Sequence, residues 1–151
     1  MKVVIALGSN LGDSNQILLD AIEALRAHIR VDAISSFIET EPVGGVEQPN
    51  YINAVLRGES EIEPAELMKL LLEIEAQAGR ERTIRWGART LDLDFIIADE
   101  IMMESELLTL PHPRAHERAF VLAPWAEIDP DGVIPGRGAI RALLAGLSPD
   151  A

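Results

Sequence analysis

The stretch from residue 2 to residue 29, KVVIALGSNLGDSNQILLDAIEALRAHI, predicts a strand that leads directly into a helix. After the initial lysine, the next five residues are apolar and three of them are β-branched, as is typical of a central strand. The turn residues from Gly8 to Asp13 end this strand, and Asp13 or Ser14 can cap the following helix. From Ile17 onward, apolar residues recur with the period of about 3.6 residues that marks a helix burying one face.

The remaining elements follow in the order strand, strand, helix, strand, before a C-terminal region that prolines divide into short pieces. The predicted elements are strands at 31–38, 51–58 and 91–98, a second helix from Pro64 to Gly79, and a last helix at 139–145. Proline suits the first turn of a helix, and glycine suits its end. The order β-α-β-β-α-β is that of the ferredoxin-like α+β fold. The sequence therefore predicts a single domain over residues 1–151, with helices packed on one face of the sheet and an additional C-terminal region.

The net charge of the chain restricts its possible partners. With 25 acidic and 13 basic residues, the formal net charge is −12, and a field of that sign repels RNA and DNA. Six of the eleven arginines nevertheless lie between Arg80 and Arg118. Arginine is the side chain suited to bidentate phosphate binding. We therefore expect a small anionic ligand and no nucleic-acid partner.

Composition also bears on location. The chain contains no cysteine, which excludes disulfides and thiolate metal sites. No apolar run approaches the roughly 18 residues that a membrane span needs, and the N-terminal apolar run is too short for a secretory signal. We expect a cytoplasmic monomer that has no membrane partner.

Asp92 and Asp94 form a candidate metal site in the predicted fourth strand. Residues two apart on a strand point to the same side, so these carboxylates share one face, with Cα atoms roughly 6 to 7 Å apart. Such a pair can bridge two Mg²⁺ ions, the arrangement used for phosphoryl transfer. Alternation on a half-exposed strand also produces Asp-x-Asp by chance. The segment just upstream, Arg80 to Arg89, contains four guanidinium groups that can stabilise phosphate charge, although such a loop can also be a solvated surface.

His112, Tyr51 and Phe120 are further candidates. His112 is flanked by prolines that restrict its backbone, and it can donate to a phosphate or a purine or make a structural hydrogen bond. Tyr51 and Phe120, together with the amide of Asn53, would suit a flat heteroaromatic substrate. The alternative is that both rings belong to the core. Trp125 is expected to be structural, and His28 and His116 are expected to lie on the surface.

Two other functions are compatible with parts of the sequence. Ferredoxin-like sheets often bind RNA, but the net charge and the lack of an RNA-binding aromatic run count against this class. A metal-dependent nuclease or cyclase could use the aspartate pair, although a nuclease must bind a polyanion. The chain has no GxxxxGK[ST] motif, which excludes a Walker-type phosphate loop.

The sequence resembles the 6-hydroxymethyl-7,8-dihydropterin pyrophosphokinase family in six ordered segments. These segments are residues 6–12 (ALGSNLG), 39–44 (ETEPVG), 48–54 (QPNYINA), 85–94 (RWGARTLDLD), 110–114 (LPHPR) and 118–122 (RAFVL). The run WGARTLDLD is the most specific of them. The resemblance implies transfer of the pyrophosphoryl group of ATP to the hydroxymethyl oxygen of the pterin, with release of AMP. It also implies two Mg²⁺ ions and loops at 41–50 and 80–89 that close over the site.

The resemblance assigns roles to residues in three groups. The catalytic residues that it implies are Arg80, Arg89, Asp92 and Asp94, of which the two aspartates are also the metal ligands. The ATP-binding residues that it implies are Glu75, Arg82, Trp86, Thr109, His112 and Arg118. The pterin-binding residues that it implies are Thr40, Pro42, Val43, Tyr51, Asn53 and Phe120. Tyr51 and Phe120 would stack on the two sides of the pterin ring.

Overall fold

The computed structural model describes residues 1–41, 49–79 and 90–147 of the 151-residue chain. The strands are β1 (Lys2–Ser9), β2 (Arg30–Ile34), β3 (Ile38–Thr40), β4 (Tyr51–Glu59), β5 (Asp92–Ala98), β6 (Met103–Glu104), β7 (Thr109–Leu110), β8 (Val133–Ile134) and β9 (Gly138–Ala139). The helices are α1 (Ser14–Arg26), α2 (Pro64–Gly79), α3 (Ala119–Ile128) and α4 (Ile140–Ala145), with a single 3-10 turn at Ala115–Glu117.

The first five strands form one antiparallel sheet with β1 near its centre. The strand order is β2-β4-β1-β5, and β3 pairs with β4 beyond the end of β2. Gly8, near the end of β1, pairs with Asn53 of β4 on one side and with Asp92 of β5 on the other. Residues from three strands therefore lie in one row across this end of the sheet.

Two hydrophobic cores lie on opposite faces of the sheet, because side chains of alternate strand residues point to opposite sides. In β1, Val3, Ile5 and Leu7 belong to the first core, which also contains the buried faces of α1 and α2. Val4 and Ala6 belong to the second core, together with Trp125 of α3 and Ile140 of α4. The molecule thus has a helical layer on each side of the sheet.

The observed elements confirm much of the predicted order. α2 begins at Pro64 and ends at Gly79, as predicted. The Asp13 carboxylate accepts a hydrogen bond from the Gln16 N–H and caps α1, also as predicted. Among the described residues, no helix combines the length and the apolar character needed to cross a membrane.

Three sequence-based expectations are wrong. The strand predicted at 31–38 is two strands, β2 and β3, separated by residues 35–37. Gly8 lies inside β1 and not in the turn that follows it. The His116 side chain is only 18% exposed, so this residue is not freely solvated.

The C-terminal region also differs from the prediction, because α3 packs on the face of the sheet opposite α1 and α2. Two features of the sequence prevented the prediction of α3. Its apolar residues surround the helix instead of forming a stripe, as expected for a buried helix, and Pro124 lies inside it. Trp125 is fully buried, which confirms its structural role.

Candidate active site

The candidate active site lies at the end of the sheet where β1, β4 and β5 meet, on the face that α3 covers. Asp92 and Asp94 are both partly exposed, while Leu93 and Phe95 between and beside them are buried in the first core. Asp94 pairs with Ala6, a member of the second core. The two carboxylates therefore share the α3 face of the sheet, as the alternation predicts.

Asp94 contacts two potential cations. The Arg118 guanidinium lies with Nη1 3.5 Å from Asp94 Oδ2, and His112 Nε2 lies 3.7 Å from Asp94 Oδ1. Arg118 immediately precedes α3, and His112 is held against the outer edge of β5 by a 2.9 Å hydrogen bond from its N–H to the Ile96 carbonyl. Two side chains from the segment between β7 and α3 thus converge on one carboxylate of β5.

The surroundings of His112 lower its pKa and so favour the neutral imidazole. Burial lowers the pKa of His112, and Arg118 acts in the same direction, whereas Asp92 raises it and Arg114 again lowers it. His112 Nδ1 accepts a hydrogen bond of 3.2 Å from the Arg114 N–H, so the proton of the neutral ring is on Nε2. The ring therefore presents an N–H donor to the site, and its contact with Asp94 is not an ion pair.

Arg118 also contacts an aromatic ring. Its guanidinium carbon lies 5.6 Å from the centroid of the Phe120 ring, within the range of a cation–π interaction. Phe120 is in the first turn of α3 and is partly exposed, and it packs at the border of the second core. One side chain thus connects the aspartate pair with the aromatic ring predicted to bind the substrate.

The polar pair Thr40 and Asn53 lies on the same face of the sheet. Asn53 is 93% buried, and its Nδ2 donates a hydrogen bond of 2.5 Å to Thr40 Oγ1. Thr40 pairs with Tyr51 across the β3–β4 ladder, and the Tyr51 ring is partly exposed. These residues form a wall of the site opposite the aspartates, with Gly8 between them.

Gly8 is a residue of this site that the sequence analysis missed. A Cβ atom added at Gly8 would lie 2.9 Å from Asn53 Oδ1 and 3.7 Å from Tyr51 Cδ1. The absent side chain therefore leaves room for the Asn53 amide beside β1. A glycine at the end of an otherwise apolar strand is a sequence signal of such a close approach, and it could have identified this position.

Glu75 and Thr109 differ in their relation to the site. Glu75, on α2, accepts a hydrogen bond of 2.6 Å from the Leu93 N–H, between the two aspartates. Thr109 lies in β7 opposite Glu104. The predicted site residues outside the described residues are Pro42, Val43, Arg80, Arg82, Trp86 and Arg89.

The aspartate pair fits a magnesium site that a substrate completes. Mg²⁺ prefers hard oxygen ligands and is commonly held by one or two carboxylates together with substrate phosphates and water. The described part of the chain has no group of three or more His, Asp or Glu side chains arranged for a metal. The two aspartates supply hard carboxylate oxygens on one face, and this chemistry suits a Mg²⁺–nucleotide complex.

Comparison with known proteins identifies the family. A family model described as 7,8-dihydro-6-hydroxymethylpterin-pyrophosphokinase (HPPK) matches residues 4–130. The chain is 44% identical to the 2-amino-4-hydroxy-6-hydroxymethyldihydropteridine pyrophosphokinase of Bacillus subtilis over 126 residues, 82% of this chain and 75% of that one. It is 42% identical to the protein of the same name from Methylorubrum extorquens over 150 residues, 98% of this chain and 94% of that one.

Similarity to solved structures supports the fold. Wild-type HPPK-DHPS from Plasmodium falciparum matches with a TM-score of 0.71 and 13% sequence identity, over 95% of this chain and 44% of that chain. This chain therefore spans less than half of the Plasmodium chain, and at that identity the likeness concerns the fold alone. The family model and the two bacterial relatives, which align along most of their length, establish that this chain belongs to the 7,8-dihydro-6-hydroxymethylpterin-pyrophosphokinase family.

Proposed function

We propose that this chain transfers the pyrophosphoryl group of ATP to 6-hydroxymethyl-7,8-dihydropterin, giving AMP and the pterin diphosphate, a step of folate biosynthesis. Membership in the family supports the reaction. The observation that carries it in this chain is the position of Asp92 and Asp94. Asp94 contacts Arg118 and His112, and both aspartates lie on the same sheet face as Asn53. Groups suited to a nucleotide thus adjoin groups suited to a flat polar ring.

The reaction is a displacement at the β-phosphorus of ATP. The hydroxymethyl oxygen of the pterin forms a bond to this phosphorus, and the bond from the phosphorus to the oxygen bridging the α- and β-phosphates breaks. AMP leaves with that oxygen, and the hydroxyl proton passes to solvent. Little covalent chemistry is required of the protein, so its contribution is positioning and charge stabilisation.

Asp92 and Asp94 would hold two Mg²⁺ ions. When bound, the ions would neutralise phosphate charge and align the phosphates with the attacking oxygen. Asp94 also contacts Arg118 and His112. Glu75 steadies the strand between the carboxylates through the Leu93 N–H.

The ATP site would combine fixed donors with the arginine-rich segment. Arg118 offers a permanent charge, and neutral His112 offers its Nε2 proton, both adjacent to Asp94. The resemblance adds further ATP ligands and further catalytic residues. Most of them lie outside the described residues, and Thr109 lies in β7. The remaining proposed ligands of ATP are Glu75, Arg82, Trp86 and Thr109, and the remaining proposed catalytic groups are Arg80 and Arg89.

The pterin would lie between the rings of Tyr51 and Phe120. Both rings are partly exposed, as a stacking surface requires. Thr40 and Asn53 would bind the polar edge of the pterin, together with Pro42 and Val43. Asn53 is suited to this because its carboxamide can donate and accept hydrogen bonds.

The fold and state of the chain complete the proposal. The strand order β2-β4-β1-β5, with β2 and β3 taken as one interrupted strand, supports a ferredoxin-like sheet with α3 and α4 as an additional C-terminal layer. We propose that residues 1–151 form one domain that acts as a cytoplasmic monomer.

AMP release measured with and without the pterin tests this function. With ATP and Mg²⁺, we expect AMP to form only when 6-hydroxymethyl-7,8-dihydropterin is present. Removal of Mg²⁺ with a chelator should stop the reaction.

Asp94→Ala should lower kcat at least about a thousandfold, because the variant loses a charge that acts on the transferring group. Near-wild-type turnover by Asp94→Ala at millimolar Mg²⁺ would remove this residue from the mechanism. AMP formation independent of the pterin would reject the proposed reaction.

A further inference from the structure

A second polar contact between α3 and the sheet lies at the end of α3 far from Asp94. Glu127, in the last turn of α3, accepts hydrogen bonds from the Ser36 N–H and the Ser36 hydroxyl, each 2.9 Å from Oε2. Its other oxygen, Oε1, lies 3.2 Å from the same N–H. Ser36 lies between β2 and β3, and the proposed mechanism uses neither residue.

Ser36 is part of a bulge, residues 35–37, in the edge of the sheet. The chain advances four residues from Ile34, the last residue of β2, to Ile38, the first residue of β3. Their partners in β4, Leu56 and Asn53, are only three residues apart. The edge thus contains one extra residue, which defines a β-bulge. Ser35 continues the ladder through the bulge. Its N–H donates to the Val55 carbonyl, and its hydroxyl accepts from the Val55 N–H, each at 2.9 Å.

The bulge determines the face on which Thr40 lies. Ile34 packs against the first core, opposite Leu56. In an unbroken strand, Thr40 would point to that same side, because it lies an even number of residues further on. The extra residue reverses the alternation. Thr40 instead pairs with Tyr51 and accepts the hydrogen bond from Asn53 on the α3 face.

Glu127 satisfies the backbone group that the bulge removes from the ladder. The Ser36 N–H donates to a carboxylate, and hydrogen bonds to a charged acceptor are stronger than those between neutral groups. α3 is consequently attached to the sheet by side chains at both ends. Arg118 contacts Asp94 at its start, and Glu127 holds Ser36 at its last turn.

We propose that Glu127 is a positioning residue for pterin binding. By holding the 35–37 bulge against α3, it keeps Thr40 and Asn53 at a fixed separation from Phe120 and so sets the width of the slot for a flat bicyclic ring. This inference rests on the proposed substrate-binding roles of Thr40, Asn53 and Phe120. Glu127 touches neither substrate nor reacting atoms, so its effect is on geometry.

Steady-state kinetics with each substrate varied separately test this inference. Glu127→Ala should raise the KM for the pterin about three- to tenfold, equivalent to one ordinary hydrogen bond, because the contact is exposed, and change the KM for ATP less than about twofold. Glu127→Gln, which keeps one acceptor oxygen, should lie between the wild type and Glu127→Ala. Glu73→Ala, which removes an exposed acidic side chain of α2, is the matched control and should behave as the wild type. Calorimetric titration with the pterin should reproduce the order of affinities.

The pair is tested by a double-mutant cycle. If Ser36→Ala weakens pterin binding and adds little to Glu127→Ala, the two residues act through one contact. Equal rises in both KM values, or an unchanged KM for the pterin in Glu127→Ala, would overturn the inference. If Glu127→Ala does not fold, Glu127→Gln and Ser36→Ala test the inference in its place, again by comparing the KM for the pterin with the KM for ATP. A wild-type protein that forms no AMP with the pterin would instead reject the proposed function, so the two failures are distinguishable.

Discussion

Gly8 has no side chain, and the Asn53 carboxamide occupies the space that a side chain at this position would fill. A Gly8→Ala substitution would place a methyl group 2.9 Å from Asn53 Oδ1. Because Asn53 is buried and hydrogen-bonded to Thr40, the two side chains must shift together to make room for the methyl group. We expect the KM for the pterin to rise roughly tenfold, equivalent to ~1.4 kcal/mol, with a much smaller change in the KM for ATP. Gly146→Ala is the control, because its added methyl group would make only ordinary contacts. Equal effects of the two substitutions would contradict this role.

His112 links the site to the pH dependence of stability. Burial and Arg118 lower the pKa of His112 in the folded protein below its ordinary value of 6.5. As the pH falls below that value, the unfolded chain binds a proton at His112 before the folded protein does, so stability decreases. Below the folded-state pKa, both states are protonated at His112 and its contribution becomes constant.

The expected result is a smaller acid-induced loss of stability in a variant without this imidazole. In metal-free protein, the free energy of unfolding of His112→Asn should fall less than that of the wild type as the pH is lowered from 7 through the folded-state pKa of His112. Urea denaturation at several pH values measures this, and His28→Asn, at an exposed position, should follow the wild type. A His112→Asn curve parallel to that of the wild type would show that this residue does not contribute.

At the scale of elements, α3 depends on the second core. Trp125 is fully buried, and its Nε1–H donates a 3.1 Å hydrogen bond to Asp129, which also contacts Arg57 of β4 at 3.3 Å. Trp125→Ala should lower the free energy of unfolding by about 3–5 kcal/mol, because it leaves a large cavity. Trp125→Phe fills much of that space and should cost about 1–2 kcal/mol, mainly through the unpaired Asp129 oxygen. Urea denaturation followed by circular dichroism measures both values. A cost below about 1 kcal/mol for Trp125→Ala would mean that the second core does not hold α3.

The elements also show which parts of the structure local sequence patterns can predict. β1 and β5 follow from their apolar residues and alternation, and α1 and α2 follow from periodicity and caps, because each of the two helices buries one regular face. The 35–37 bulge could not be located in this way, since one extra residue is defined only by its register against β4. α3 was missed because a helix buried on most sides has no periodic stripe.

The sequence predicts the local arrangement of the candidate site but not its tertiary contacts. The shared face of Asp92 and Asp94 follows from strand alternation alone. The convergence of His112 and Arg118 on Asp94 does not, because these segments are joined only by tertiary contacts. The resemblance named these residues, but their contacts required the structure.

At the scale of the whole molecule, the distribution of charge distinguishes a nucleotide-binding enzyme from an RNA-binding domain on a similar sheet. The net charge of −12 opposes a polyanion that must lie along the surface, where charges interact over a Debye length of about 10 Å at 0.1 M salt. A nucleotide is small enough to contact only the proposed arginines and the proposed magnesium ions. Fluorescence anisotropy should therefore detect a labelled ATP analogue with Mg²⁺. It should detect no binding of a labelled single-stranded RNA of about 20 nucleotides at tens of micromolar protein, even at low salt, where phosphate contacts are strongest. A saturable RNA signal that weakens steeply with added salt would show that the basic residues form a continuous path for a polyanion, and the charge argument for a small ligand would then fail.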